Sequence, residues 1–450
     1  MAKQRTVYIC QACGHQTQSW LGRCPGCGDW NSLVEQAAPS AAAPRSLGTR
    51  LGGGTNRAQP ITRVSMGEGG EVRLRVGIGE LDRVLGGGLV TGALTLLGGD
   101  PGVGKSTLLL MAMQAFARRG VRVLYVSGEE SARQVRLRSD RLGAGSDELW
   151  LLSETSLEAV TAALDEVQPR VLVLDSVQSL HSPELDGVPG SIGQVRHVAN
   201  AAMKFAKGRD VATFLVGHVT KDGSIAGPRV LEHLVDTVLY FEGDGATSLR
   251  VLRATKNRFG STGEIGLFDM REDGLFEVPD ASARLLRERL PDAPGTAVTC
   301  TMEGNRPVLL EVQALVGRPT QGTPARTAVG IDRGRLAMLL AVLGKVGLDL
   351  SDRDVFVSVA GGVKVTEPAA DLAVAAALAS SARGVALPAH RIWLGEVGLV
   401  GELRGVGQPL ARLREAERHG FQEAVVPASA PQEGVALRMR HARTLAEALG

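Results

Sequence analysis

Residues 99–106 read Gly99-Asp100-Pro101-Gly102-Val103-Gly104-Lys105-Ser106, a complete G-x-x-x-x-G-K-S phosphate loop. The apolar run 93–97 precedes it, and Thr107 followed by the apolar run 108–113 succeeds it, so the context is strand, glycine turn, helix. This order constrains the fold strongly, because such a loop works only where a buried strand delivers it to a helix N-terminus. The glycines let backbone N–H groups curl around a triphosphate, and the helix adds partial positive charge. Lys105 is placed to reach the β- and γ-phosphates, and the Ser106 hydroxyl to ligate Mg²⁺. Gly99 through Thr107 are therefore read as the nucleotide-binding segment, with ATP and Mg²⁺ as cofactors. An ordinary glycine-rich turn would not need the flanking strand and helix.

Other strand ends supply groups that hydrolysis needs. Val171–Asp175 is an apolar strand ending in a carboxylate about 70 residues after the loop. Burial of that strand carries Asp175 to the sheet edge beside the phosphates, where it can hold Mg²⁺ through water. Val123–Ser127 is followed by Gly128, Glu129 and Glu130. An attacking water needs an acceptor to orient it; Glu129 is the first choice, and Glu130 reads as a charge at the start of a helix. His218 ends the strand Leu215–Val216–Gly217 and is either a γ-phosphate sensor or a satisfied polar group. Lys256 and Arg258 sit at another strand end, read either as a solvated basic turn or as cations reaching a neighbouring subunit's triphosphate. Segments 180–193 and 219–229 are rich in Gly, Pro, Ser and charge, which suits nucleic-acid contact or switching.

Four of the five cysteines form Cys10-x-x-Cys13 and Cys24-x-x-Cys27, with ten residues between the pairs. Two such turns supply four thiolates for tetrahedral Zn²⁺. A disulfide pair or a redox motif fits a reducing cytosol less well. So small a segment lacks a core of its own, so metal binding supplies its folding energy. Cys300 stands alone and reads as a buried core thiol.

The 450 residues form domains as follows: 1–35 a zinc-binding module, 36–65 a flexible linker, 66–285 an ATPase domain of alternating strands and helices, and 296–450 an α+β domain. Alternation in the ATPase domain predicts a parallel sheet covered by helices. A net charge of +2 names no partner, although residues 1–75 hold nine Lys/Arg against four Asp/Glu, compatible with a polyanion. No apolar run is long enough to cross a membrane, and the first residues lack a signal core, so a cytoplasmic protein is expected.

The four-cysteine knuckle, the phosphate loop, Lys256-Asn257-Arg258-Phe259-Gly260 and Gly361–Leu372 follow one another in this order. Together they resemble the bacterial RadA (Sms) family of DNA repair and recombination ATPases over essentially the whole chain. The Lys-Asn-Arg-Phe-Gly string is specific to that family. The resemblance implies a RecA-like ATPase core followed by a Lon-protease-like domain. It implies hexameric rings that travel on single-stranded and branched DNA and drive branch migration with the RecA recombinase. It also places the family's phosphate-loop lysine at Lys105, its acidic strand end at Asp175, and its signature cations at Lys256 and Arg258.

Active Lon-type proteases pair a Ser nucleophile with a Lys base. Here the matching Pro-Ser-Ala-Gly stretch is Pro368-Ala369-Ala370-Asp371, and an ungapped count from Gly395-Glu396-Val397 puts Leu410 at the lysine. Ala369 has no hydroxyl with which to attack a carbonyl. The domain is therefore expected to serve as an assembly and DNA-binding scaffold without protease activity, with Arg333, Arg335 and Lys364 as candidate phosphate contacts. Two rival functions are an ATP-dependent protease or chaperone, which Ala369 and Leu410 argue against, and a nucleotide switch that regulates a partner without motor activity. The zinc module suits contact with either RecA or DNA.

Overall fold

The computed structural model describes residues 6–10, 16–26, 28, 30–37, 73–143, 145–218, 230–243, 248–319, 322–431 and 433–450. The linker read from sequence lies almost wholly outside these residues, as do Cys13, Cys27 and segment 219–229. The described residues group into two compact units that divide between Glu277 and Val278.

The first unit begins with a small antiparallel sheet of β1 (Thr6–Cys10), β2 (Gln16–Thr17) and β3 (Leu33–Ala37), ordered β2-β1-β3. Its apolar centre among the described residues is only Cys10, Cys24 and Leu33, with Tyr8 against them. A centre built on two cysteine sulfurs suits a fold that a metal completes.

A short pair, β4 (Arg73–Leu74) and β5 (Leu89–Val90), brackets α1 (Gly79–Val84). Strands and helices then alternate: β6 (Leu94–Gly99), α2 (Lys105–Ala117), β7 (Val123–Ser127), α3 (Ala132–Arg141), β8 (Leu149–Ser153) and α4 (Leu157–Val167). The series continues with β9 (Val171–Asp175), α5 (Ile192–Arg209), β10 (Ala212–His218) and β11 (Thr237–Gly243). The last strands are β12 (Leu249–Asn257), β13 (Ile265–Arg271) and β14 (Gly274–Glu277).

These strands form one sheet in the order β14-β13-β12-β11-β6-β10-β9-β7-β8. From β11 to β8 every pair is parallel, as the alternation predicts. Strands β12 to β14 extend it antiparallel, because short connections without a helix can only double the chain back. Strands β6, β7 and β9 are buried throughout, since helices cover both faces. Along β9 the faces alternate. Val171 and Val173 join Leu108, Met113 and Phe116 of α2, while Leu172 and Leu174 join Val160 and Leu164 of α4 and Val198 and Ala202 of α5.

The second unit holds α6 (Ala281–Leu286), the long hairpin β15 (Thr296–Glu303) and β16 (Arg306–Gly317), β17 (Arg326–Val329), α7 (Arg333–Lys345) and β18 (Asp354–Val359). It continues with α8 (Asp371–Arg383), β19 (Arg391–Trp393), β20 (Glu396–Val397), β21 (Leu403–Arg404), α9 (Pro409–Arg418), β22 (Glu423–Pro427), β23 (Arg438–Ala442) and α10 (Leu445–Leu449). Its mixed sheet runs β17-β18-β16-β15-β19-β22-β23, with β20 and β21 as a separate hairpin. Helix α6 packs within this unit, where the Ser282 hydroxyl donates to Glu415 of α9 at 2.6 Å. Residues 371–380 of α8 are all buried; the run of alanines lets that helix lie close against its neighbours. The α/β fold class read from sequence holds, with a P-loop core, an N-terminal metal-type module and a C-terminal α+β unit.

Candidate active site

Parallel register sets the site. In the pairing of β10 with β6, His218 lies opposite Gly99; in that of β7 with β9, Ser127 lies opposite Asp175. The C-terminal ends of β6, β10, β9 and β7 therefore share one edge, the place where open α/β sheets bind ligands. Sequence reading assigned the phosphate loop, His218, Asp175 and Glu129 to strand ends, and the fold brings all four together.

The loop is built for close approach. Gly99 has φ +153°, and a Cβ there would lie 2.3 Å from the Phe241 carbonyl oxygen of β11. Gly104 has φ +110°, and a Cβ would meet the Met270 methyl at 2.4 Å. Neither position tolerates a side chain. Lys105 is buried, with Nζ donating to the carbonyls of Gly99 at 2.8 Å and Asp100 at 3.0 Å. Burial pushes its ammonium below the usual lysine range, while Asp175, Glu129 and Asp100 pull it back up. A buried cation held only by two carbonyls, with carboxylates nearby, fits an anionic ligand that brings its own charge.

Asp175 is buried, and the buried Tyr125 hydroxyl donates to its Oδ2. Burial raises the phenol well above its usual value, Asp175 raises it further, and a hydrogen bond with Ser106 draws it down. Tyr125 thus joins the two residues read as Mg²⁺ ligands. A carboxylate and a hydroxyl are hard oxygen donors, as Mg²⁺ prefers. Sequence reading missed Tyr125 because it reads as one more apolar strand residue; its pairing with Asp175 needs the β7–β9 register.

Glu129 follows Gly128 at the end of β7. Its Oε1 accepts from the Ser176 hydroxyl and lies 3.2 Å from His218 Nε2. The His218 hydrogen bond, opposed by partial burial and aided by Ser176, pushes the Glu129 carboxyl down to about 2. Glu130 is instead held by Arg138 of α3 at 2.5 Å, with its N–H donating to Ser127. The neighbouring glutamates therefore face different partners, and only Glu129 joins the edge cluster.

Lys256 and Arg258 lie at the end of β12. Lys256 Nζ donates to the carbonyls of Glu232 at 2.7 Å and Val235 at 2.8 Å, within its own chain. Arg258 is more than half exposed and pairs with buried Asp236 at 3.1 Å. Asp236 also accepts from the N–H of Leu94 at the start of β6, so one carboxylate ties Arg258 to the strand that carries the phosphate loop. Sequence reading did not single out Asp236, since nothing local distinguishes it from a surface carboxylate.

In the N-terminal module Cys10 and Cys24 are buried, and the Gly26 N–H donates to Cys24 Sγ at 3.3 Å. A turn aiming an amide at a buried sulfur suits a metal thiolate. Cys13 and Cys27 lie outside the described residues.

In the second unit Ala369 is buried at the head of α8, and Leu410 lies in α9. Arg335 is bound to Asp371 through Nε at 2.8 Å and also through Nη2. That pairing satisfies its fork within the unit, which removes it from the phosphate-contact candidates. Arg412, also overlooked from sequence, is fully buried and holds both oxygens of Glu367 at 2.6 Å. Among the described residues no helix is long and apolar enough to cross a membrane.

Three family models match the chain. One described as an AAA domain spans residues 72–224, one described as a rubredoxin metal binding domain spans 8–35, and one described as subunit ChlI of Mg-chelatase spans 321–430. The first two coincide with the phosphate-loop sheet and the cysteine module, and the third lies in the second unit. Among solved structures, a KaiC-like protein, PH0186, from Pyrococcus horikoshii is 20% identical with a TM-score of 0.39, over 46% of this chain and 100% of its own. The protein named DNA repair protein RadA in Halalkalibacterium halodurans is 47% identical over 95% of this chain and 93% of its own. The Bacillus subtilis protein of that name is 47% identical over 95% and 94%, and the Brucella abortus one 48% over 95% and 92%. Identity of that degree along nearly the full length of both chains shows that this protein belongs to the RadA family of DNA repair proteins.

Proposed function

We propose that this protein is an ATP-hydrolysing motor of DNA recombination and repair. It moves along single-stranded and branched DNA as a hexameric ring and promotes branch migration with the RecA recombinase. The observation that carries this reading is the convergence of Lys105, Ser106, Asp175, Glu129 and His218 on one sheet edge, in a chain whose close relatives are named for DNA repair.

In this reading Gly99 to Thr107 wrap the triphosphate, and Lys105 exchanges its two backbone carbonyls for phosphate oxygens. Ser106 and, through water, Asp175 would hold Mg²⁺, which would supply charge neutralisation for the phosphates. Glu129 orients the attacking water. Arg258, exposed at the end of β12, reaches the triphosphate of the adjacent subunit, and Lys256 fixes the strand end that presents it. Because Asp236 links Arg258 to β6, movement at one site is felt at the next. The four cysteines hold structural Zn²⁺, and the module contacts RecA or DNA. The second unit serves as an assembly and DNA-binding scaffold, without the Ser–Lys pair of a protease.

The test is ATPase rate with and without single-stranded DNA across a salt series. A DNA-driven increase that fades as salt rises is expected from backbone-phosphate contacts. A slow rate indifferent to DNA overturns the motor and favours a nucleotide switch. A K105A protein hydrolysing at the wild-type rate overturns the site itself.

A further inference from the structure

We propose that Ser176 and His218 are positioning residues for hydrolysis: together they fix one oxygen of Glu129, so that its other oxygen is the acceptor offered to the attacking water. The proposal rests on the assignment of Glu129 as the water-orienting group and goes beyond it.

Glu129 lies on a turn outside regular structure, and its side chain is 48% exposed. A carboxylate in that setting rotates readily and presents its oxygens in many directions, yet hydrolysis needs one fixed acceptor. The structure removes that freedom from two sides. The Ser176 hydroxyl donates to Oε1 from the end of β9, and His218 Nε2 approaches the same oxygen at 3.2 Å from the end of β10. No described residue is placed on Oε2.

Each anchor is itself held. Ser176 is fully buried, and its N–H and carbonyl both bond to the Ser179 hydroxyl, at 3.3 Å and 2.8 Å. The turn that carries Glu129 is pinned to the same segment, with the Gly128 N–H donating to the Asp175 carbonyl at 2.8 Å. A Cβ on Gly128 would lie 2.2 Å from the Ser179 hydroxyl, so only glycine lets the two turns lie this close. On His218 the backbone carbonyl accepts from Gln178 at 3.4 Å, while ring Nδ1 is buried without a partner. A proton on Nε2 lets the ring donate to the carboxylate. His218 is thus accounted for as a donor to Glu129.

This arrangement makes His218 act through Glu129, and a double-mutant cycle tests that coupling. Single-turnover phosphate release and ATP binding are measured for S176A, H218A, H218Q, E129Q and E129Q/H218A. Loss of an aiming hydrogen bond should slow release about tenfold in S176A and H218A while ATP affinity stays within about twofold. H218Q, which keeps a donor, should recover most of the rate. In the E129Q background, H218A should cost nothing further.

Three results overturn the proposal. One is H218A slowing E129Q as much as it slows wild type, which makes His218 an independent γ-phosphate sensor. Another is weakened ATP binding in H218A with an unchanged rate constant. A third is faster hydrolysis in S176A or H218A, which makes the pair a restraint on Glu129. Wild-type hydrolysis by E129Q refutes the role of Glu129 itself, whereas slow E129Q with unimpaired H218A and S176A refutes only the positioning role.

Discussion

At the residue scale, the site depends on side chains held by partners on other strands. Tyr125 is the plainest case. Its hydroxyl bridges towards Asp175 and Ser106 from within the core, so it orders the two residues proposed to hold Mg²⁺ without touching solvent. Y125F removes one oxygen and keeps the ring, and a lost hydrogen bond to a charged group is worth about 1.5–3 kcal/mol. We expect the Mg²⁺ concentration for half-maximal ATPase to rise at least several-fold, with the rate largely restored at saturating Mg²⁺. An unchanged Mg²⁺ titration would show that the phenol serves packing alone.

At the element scale, the second unit hangs on an ion pair between buried Arg412 and partly buried Glu367. Arg412 of α9 crosses to Glu367, just ahead of α8, and also donates to the Cys300 carbonyl of β15 at 2.6 Å. One guanidinium therefore ties three segments. Burial on its own would raise the Glu367 carboxyl, but Arg412 and the Met302 N–H outweigh it and hold it below its usual value. A depressed folded-state value means that the contribution to stability is complete above the unfolded carboxyl's pKa and is lost as pH falls through the lower folded one. R412A leaves Glu367 with its charge poorly compensated and should cost about 3–5 kcal/mol. The double substitution R412L/E367L should be milder, and its unfolding midpoint should vary less between pH 6 and pH 4. Calorimetry of the three proteins decides this, and an R412A midpoint equal to wild type would refute it.

At the scale of the whole molecule, the proposed ring makes each site depend on two subunits. In that ring Lys105 and Arg258 would belong to different halves of one composite site, so their defects should complement. Mixing K105A with R258A subunits gives some interfaces that carry both intact residues, and ATPase should exceed that of either variant alone. Mixed rings without any gain, verified by differential tagging, would place Arg258 outside the neighbouring site. Its ion pair with Asp236 would then serve only the fold.

The phosphate loop, the acidic strand end, the cysteine pairs and the strand–helix alternation can be read from the residues alone. These are local: a glycine pattern, a run of apolar residues or a two-residue spacing has one physical meaning within a few residues of itself. That Ala369 carries no hydroxyl and Leu410 no amine is equally local, because neither needs a fold to be noticed. Which partners those groups have depends on the folded arrangement. Tyr125, Ser176 and Asp236 gain their roles from strand register and from turns that close across different parts of the chain. Arg335 and Lys256 read as surface cations until the fold supplies a carboxylate to one and two backbone carbonyls to the other. A charge announces itself in the sequence, but what satisfies it is settled by contacts between residues far apart along the chain.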